Sequence, residues 1–236
     1  SVTMAQLASS FSNRVTPAKV GGMATNVRFL QKQDLTLPMA ASAVGLNTVA
    51  GLLVHVSLLV LLGFAASRDV ALPLPDTRTT AIVVAALVLV SGLFMILPVG
   101  RKLLTKYLLP ALRAGATAIT TIAKTPTKLV ALFAGSAIIT ISYTIAMIAS
   151  LNAFDADVPI ATAAVIYLAG AAVATAAPTP GGVGATEAAL IAGYTVVGVD
   201  PSIAFAAVLL FRLMTFWLPI LPGWLALVWL NRSGRL

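Results

Sequence analysis

The sequence contains no cysteine, so neither a disulfide framework nor a thiolate metal site can hold it together, and cysteine usage says nothing of its redox compartment. Charge is scarce too. Charged residues make up 9% of the 236, against about a quarter in soluble domains. With 59% hydrophobic content, that scarcity excludes an ordinary water-soluble domain and points to a chain dissolved in lipid. Acids are scarcest: seven acidic residues stand against 15 basic ones, Glu187 is the single glutamate and His55 the single histidine. The sequence therefore offers no metal cluster and no Ser–His–Asp arrangement with a suitable base. It also lacks a Walker-type phosphate loop, so no catalytic residue, metal or cofactor is expected. The formal charge of +8 is not read as nucleic-acid binding, because basic patches interleaved with aromatics are absent. On a membrane protein it reads as the cytoplasmic bias of Lys and Arg. The chain opens on Ser1 without a signal peptide, and the expectation is that it is incomplete at its N-terminus.

What is present is long apolar runs. Those at Met39–Ala66, Thr80–Val99, Lys128–Leu151, Val158–Ala177 and Ser202–Leu230 reach or approach the ~20 residues that cross ~30 Å of hydrocarbon. Shorter helical pieces are expected near residues 1–12, 22–33 and 184–198. Residues 102–124 place Lys102, Lys106 and Arg113 on one helical face and read as an interfacial helix, within a cytoplasmic connection over 100–128, with a crossing by the same residues as the alternative. Counting spans from that connection puts Arg14, Lys19, Arg28, Lys32, Arg232 and Arg235 on the cytoplasmic side and most acids on the other.

Two stretches interrupt the oil. TPAKVGGMATNVRFL (16–30) and TPGGVGATEAAL (179–190) both run proline, paired glycine, short helix, and each is followed by a proline that opens a long span, Pro38 and Pro201. Their glycine pairs, Gly21-Gly22 and Gly181-Gly182, lie 160 positions apart. On the span count the first unit is entered from inside and the second from outside. Gly/Pro-broken inverted repeats are the sequence pointer to an alternating-access transporter with its site near the midplane. Non-helical backbone survives at that depth only inside protein or beside a wet cavity. The expected fold is thus all-α: a polytopic membrane helix bundle with two inverted repeats, each containing a re-entrant or broken helix. One domain over 1–236 has a first repeat core at 1–66 and a second at 158–230.

Charges at depth mark the candidate site. Glu187 lies 13 residues before Asp200, ~20 Å along a helix, and Arg212 lies 11 after Pro201, ~17 Å. Each alone costs roughly 2.5–3.5 kcal/mol at a helix centre, so the two are expected to face one another or share a headgroup. A purely structural ion pair remains the competing reading. Gly182, Gly184 and Thr186, at the start of the short helix, offer amides and a positive dipole end to an anion such as phosphate. Asn26 and Asn47 occupy the corresponding depths in the first repeat, and Arg28 lies nearer the interface. His55, alone in the first long span, reads as a hydrogen-bonded structural residue in preference to a proton relay.

PTPGGVGATEAAL followed by PSIAFAAVLLFRLMTFWLPILPGW resembles the C-terminal signature of the lysylphosphatidylglycerol synthase transmembrane-region family of flippase-like membrane proteins. Pro178, Pro180, Gly181, Gly182, Gly184, Glu187, Arg212, Trp217 and Pro219 carry the likeness, and Pro17, Gly21, Gly22 and Arg28 match the family's earlier glycine segment. The chain departs from it at Leu46-Asn47-Thr48, where an arginine is often found. The resemblance implies movement of aminoacyl phospholipids or polyprenyl-linked sugars between the leaflets of a prokaryotic cell membrane. Membrane lipid, either phospholipid or lipid-linked glycan, is the expected partner, with no nucleic acid. A fused or associated synthase or transferase, and a homo-oligomer, stay open. So does a second function, a non-catalytic module presenting lipid to a transferase. A third, an ion-coupled solute transporter, is disfavoured by the single intramembrane carboxylate.

Overall fold

The computed structural model describes residues 2–16, 20–69, 126–177 and 179–236. The expected span Thr80–Val99, the connection at 100–128 as far as residue 125, and Pro17, Lys19 and Pro178 lie outside the described residues. All described elements are helical: α1 (Val2–Val15), α2 (Val20–Gln31), α3 (Leu37–Asp69), α4 (Pro126–Asn152), α5 (Ile160–Ala176), a 3₁₀ turn (Pro180–Gly182), α6 (Ala185–Val196), α7 (Pro201–Arg212), a π-turn (Leu213–Trp217) and α8 (Ile220–Arg232). Prolines begin several of them, where a missing N–H costs nothing and the fixed φ suits the helix. At α7, Pro201 occupies the first turn while the Asp200 carboxylate accepts from the Ser202 N–H at 2.8 Å.

Among the described residues, three helices are long and apolar enough to cross a membrane: Leu37–Ser67, Pro126–Asn152 and the composite Pro201–Arg232. Their outer faces are greasy. Along α3, Leu52, Val56, Val60 and Phe64 are spaced by four and lie exposed, a stripe suited to lipid. The expected span Val158–Ala177 is shorter in the structure. α5 has 17 residues, about 25 Å of helix against ~30 Å of hydrocarbon, because it begins only after Val158 and Pro159 and ends where Ala177 is extended.

Close contacts fix how neighbours run. Gly170 abuts Leu190 and Gly193 abuts Ile166 so closely that a Cβ at either glycine would come within 2.6 Å, and the buried Tyr194 hydroxyl donates to the Ala163 carbonyl at 3.0 Å. These pairs make α5 and α6 an antiparallel hairpin, around which Met147, Leu151, Leu168 and Val208 form the main core. α1 and α2 form a second hairpin, tied by Ser9 to the Gly22 carbonyl (3.1 Å) and Asn26 to Ser9 (2.9 Å). Each hairpin leans on the long helix that follows the other one. α1 packs along α8, Phe11 against Gly223 and Arg14 against Thr215; α5 packs along α3, Leu168 against His55. From these contacts α1 runs antiparallel to α7–α8, whereas α5 runs with them.

A polar cleft between two hairpin tips as candidate functional site

Where α1 ends, it meets the turn that follows α5. Around that meeting point lies a cleft of about 610 Å³, walled by Arg14, Tyr143, Tyr167, Gly181, Arg212 and Phe216 among others. Thr215 lies near the middle of the 32-residue span Pro201–Arg232, so the cleft stands at mid-depth of that span.

The turn owes its shape to glycine. Gly181, Gly182 and Gly184 have φ of 58°, 68° and 84°, values that side-chain-bearing residues rarely adopt. At Gly181 a Cβ would stand 2.3 Å from the Phe216 ring and 2.9 Å from the Arg14 carbonyl, so the absent side chain also lets both hairpin tips close on one ring. Glu187 then does two things. Its Oε2 accepts the Gly184 N–H at 2.7 Å, closing the first turn of α6, and its Oε1 accepts from Arg212 Nε at 2.6 Å. The Arg212 guanidinium, only 6% exposed, lies 4.0 Å from the centroid of Phe216, in cation–π contact.

Arg14 approaches the same ring from the other hairpin, 5.8 Å from its centroid. It hydrogen-bonds the Ser10 hydroxyl and the Ser10 carbonyl, and its Nη2 donates to the Thr215 carbonyl at 2.8 Å. That carbonyl is free for a covalent reason. In an α-helix it would accept from residue 219, which is proline and has no N–H, and the chain passes instead through a π-turn in which Leu218 N–H bonds the Leu213 carbonyl.

The expected site residues divide sharply. Arg212, Gly181, Gly182 and Thr186 line the cleft, and Glu187 and Gly184 stand directly behind it, joined to each other and to Arg212. Pro180 is exposed beside the turn, and Pro178 lies outside the described residues. The anion position expected at the α6 start is taken at Gly184 by the protein's own Glu187 carboxylate. The glycine pair of the first half does not reach the cleft. Gly21 and Gly22 donate their N–H groups to Thr16 and Asn13, satisfying orphan donors at the start of α2, and they lie too close to those side chains to carry a Cβ. Asn26 touches the cleft only through Ser9, while Arg28 and Asn47 are exposed away from it. His55 makes the expected structural bond, Nε2 to the Leu168 carbonyl at 3.0 Å, and its ring also borders the cleft.

Arg14 corrects the charge count. Assigned from sequence to the cytoplasmic side, it is half-buried at the mid-depth cleft. The contribution of the first half is therefore α1, not its glycine loop. Gln6, Ser9, Ser10, Asn13 and Arg14 line the cleft at helical spacing, a polar stripe that was visible in the sequence as i, i+3, i+4, i+7, i+8. Tyr143 of α4 and Tyr167 of α5 complete the polar wall with no comparable sequence signal.

Apolar spans, a polar hollow at mid-depth and an ion pair on broken backbone define a polytopic helical membrane protein with an internal polar site. The model of the lysylphosphatidylglycerol synthase TM region family matches residues 1–223, and the chain belongs to that family. No curated protein and no solved structure matches it. Membership ties the chain to membrane lipid.

Proposed function

We propose that this domain moves a phosphate-bearing lipid between leaflets, the headgroup passing through the cleft while the acyl or prenyl chains stay in the bilayer. The lipid classes that suit are anionic phospholipids, aminoacyl phospholipids and polyprenyl phosphates. The observation that carries the reading is the cleft itself: two arginines, Arg14 of the first hairpin and Arg212 at the end of α7, share the Phe216 ring at mid-depth, where a guanidinium is costly unless it serves or is paired. The arrangement of the hairpins supports an inverted pair of broken repeats. Their first helices run oppositely, each packs on the long helix of the other unit, and their ends meet at Gly181 and Arg14. Such a pair can rock about a fixed central site and open it to one side at a time.

The test is leaflet transfer of a fluorescent phospholipid in proteoliposomes, read by accessibility to a membrane-impermeant quencher. Wild type should transfer it, and Glu187→Gln or Arg212→Ala should lose transfer while remaining folded in detergent. Unchanged transfer in both variants would remove the proposed site.

A second reading follows from the family's name. As the membrane region of a lipid synthase, the cleft would hold lipid for a fused or associated transferase, with no net transfer. Stimulation of such a transferase by a domain that fails to move lipid would favour it.

A further inference from the structure

Among the described residues, the cleft holds one more positive charge than its lining neutralises. Arg212 is matched by Glu187, the single ion pair among the described residues. Among the described residues, the hydrogen bonds of Arg14 go to the Ser10 hydroxyl and carbonyl and to the Thr215 carbonyl, with the Tyr143 hydroxyl also beside it, and none goes to a carboxylate. Two polar atoms on residues of the cleft wall are buried without any partner among the described residues: Arg14 Nε and Thr179 Oγ1. Buried polar atoms are almost always paired, so two orphans beside one hollow mark a place where a ligand's acceptors belong.

We propose that Arg14, not the Glu187–Arg212 pair, receives the charge of the ligand, and that the group it receives is a phosphate. The proposal rests on the reading of the cleft as a lipid site and narrows it. Glu187 already neutralises Arg212 through Nε, so an incoming anion at that residue meets the repulsion of an internal carboxylate held in place also by the Gly184 N–H. Arg14 presents no such competitor. Its bond to Thr215 depends on a carbonyl left over by Pro219, and a charged oxygen is the stronger acceptor. A phosphodiester offers two non-bridging oxygens, enough for the Arg14 fork and the Thr179 hydroxyl together. A single guanidinium matches a single negative charge.

The experiment is binding to the purified chain in neutral detergent by isothermal titration. Its probes are dioctanoylphosphatidylglycerol, dioctanoylglycerol (the same chains without phosphate) and inorganic phosphate. Wild type should bind the phospholipid and not the diacylglycerol. Arg14→Gln should weaken phospholipid binding about 10- to 100-fold, the scale of one charge-assisted hydrogen bond, and Arg14→Lys about two- to tenfold. Inorganic phosphate binding at least tenfold weaker than the lipid would assign the site to a headgroup; equal affinity would assign it to soluble phosphate, and the group received would still be phosphate. Should Arg14→Gln not fold, Arg14→Lys together with displacement of the lipid by phosphate from wild type carries the test. Equal binding of diacylglycerol and phospholipid, or wild-type affinity in every folded Arg14 variant, overturns the proposal. Because binding is read without transfer, a wild type that binds through Arg14 but moves no lipid would end the translocation reading and leave this one standing.

Discussion

Glu187 links a loop amide to a helix charge: one carboxylate oxygen accepts the Gly184 N–H at 2.7 Å and the other accepts from Arg212 Nε at 2.6 Å. The glycine turn, the start of α6 and the end of α7 are therefore held by one side chain. The structural ion pair that the sequence left as the competing reading is therefore present as a strut.

That dual role predicts strong non-additivity. Glu187→Gln leaves a guanidinium without its partner, and Arg212→Gln leaves the carboxylate without its own; each should destabilise the protein by about 3 kcal/mol. The double variant Glu187→Gln/Arg212→Gln should be less destabilised than the sum of the singles, because no uncompensated charge remains. Unfolding in mixed micelles of all four proteins measures the coupling. Additive costs would mean the pair is not energetically linked.

Gly181→Ala should be much worse than Gly135→Ala. The first forces a side chain into a left-handed φ, at about 1–2 kcal/mol, and drives its Cβ to within 2.3 Å of the Phe216 ring. The second adds a methyl in mid-helix where nothing lies within 4 Å, and should be neutral or stabilising by up to ~1 kcal/mol. Trp217 packs edge-on to Phe216 with ring centroids 5.1 Å apart, so a change in tryptophan emission confined to Gly181→Ala would report displacement of the ring.

Pro219→Ala restores the N–H that Thr215 lacks and should compete with Arg14 for that carbonyl. Arg14→Gln ought then to cost about 1 kcal/mol less stability in the Pro219→Ala background than in wild type. The same thermodynamic cycle in detergent checks it. Equal costs would show that the Arg14–Thr215 bond does not depend on the proline.

Asp200 supplies the pH dependence. Its carboxylate accepts from the Ser202 hydroxyl and the Ser202 N–H, which hold its pKa below the usual carboxylate value. A group with a depressed folded pKa contributes stability above the unfolded pKa and loses it as pH falls through the folded one. The melting temperature of wild type should therefore carry an acid-side decrement below about pH 4 that Asp200→Asn lacks. Identical acid profiles for the two proteins would exclude the cap as its source.

The membrane class, three of the long helices, the short helices near 1–12, 22–33 and 184–198 and the meeting of Glu187 with Arg212 were legible in residue order, because lipid demands apolar runs and pairs whatever charge they carry. The end of α5 was legible as well, Ala177 in the sequence against Ala176 in the structure, and what the apolar run overcounted is Val158 and Pro159, which precede the first helical residue. Arg14 was misread. Charge counting assumes that a cation near a loop reaches water, and only the packing of α1 along α8, close at Gly223, brings its guanidinium to a carbonyl 201 residues away in the chain.

Sequence alone determined the solvent of this protein, the positions of its broken backbone and the one carboxylate able to sit there, since these follow from composition and from what glycine and proline permit locally. Tertiary structure decided which residues share the hollow. It gave Gly21 and Gly22 to helix packing and brought Arg14, Tyr143 and Tyr167 to the wall, because proximity between distant segments depends on how helices cross, which no local pattern encodes.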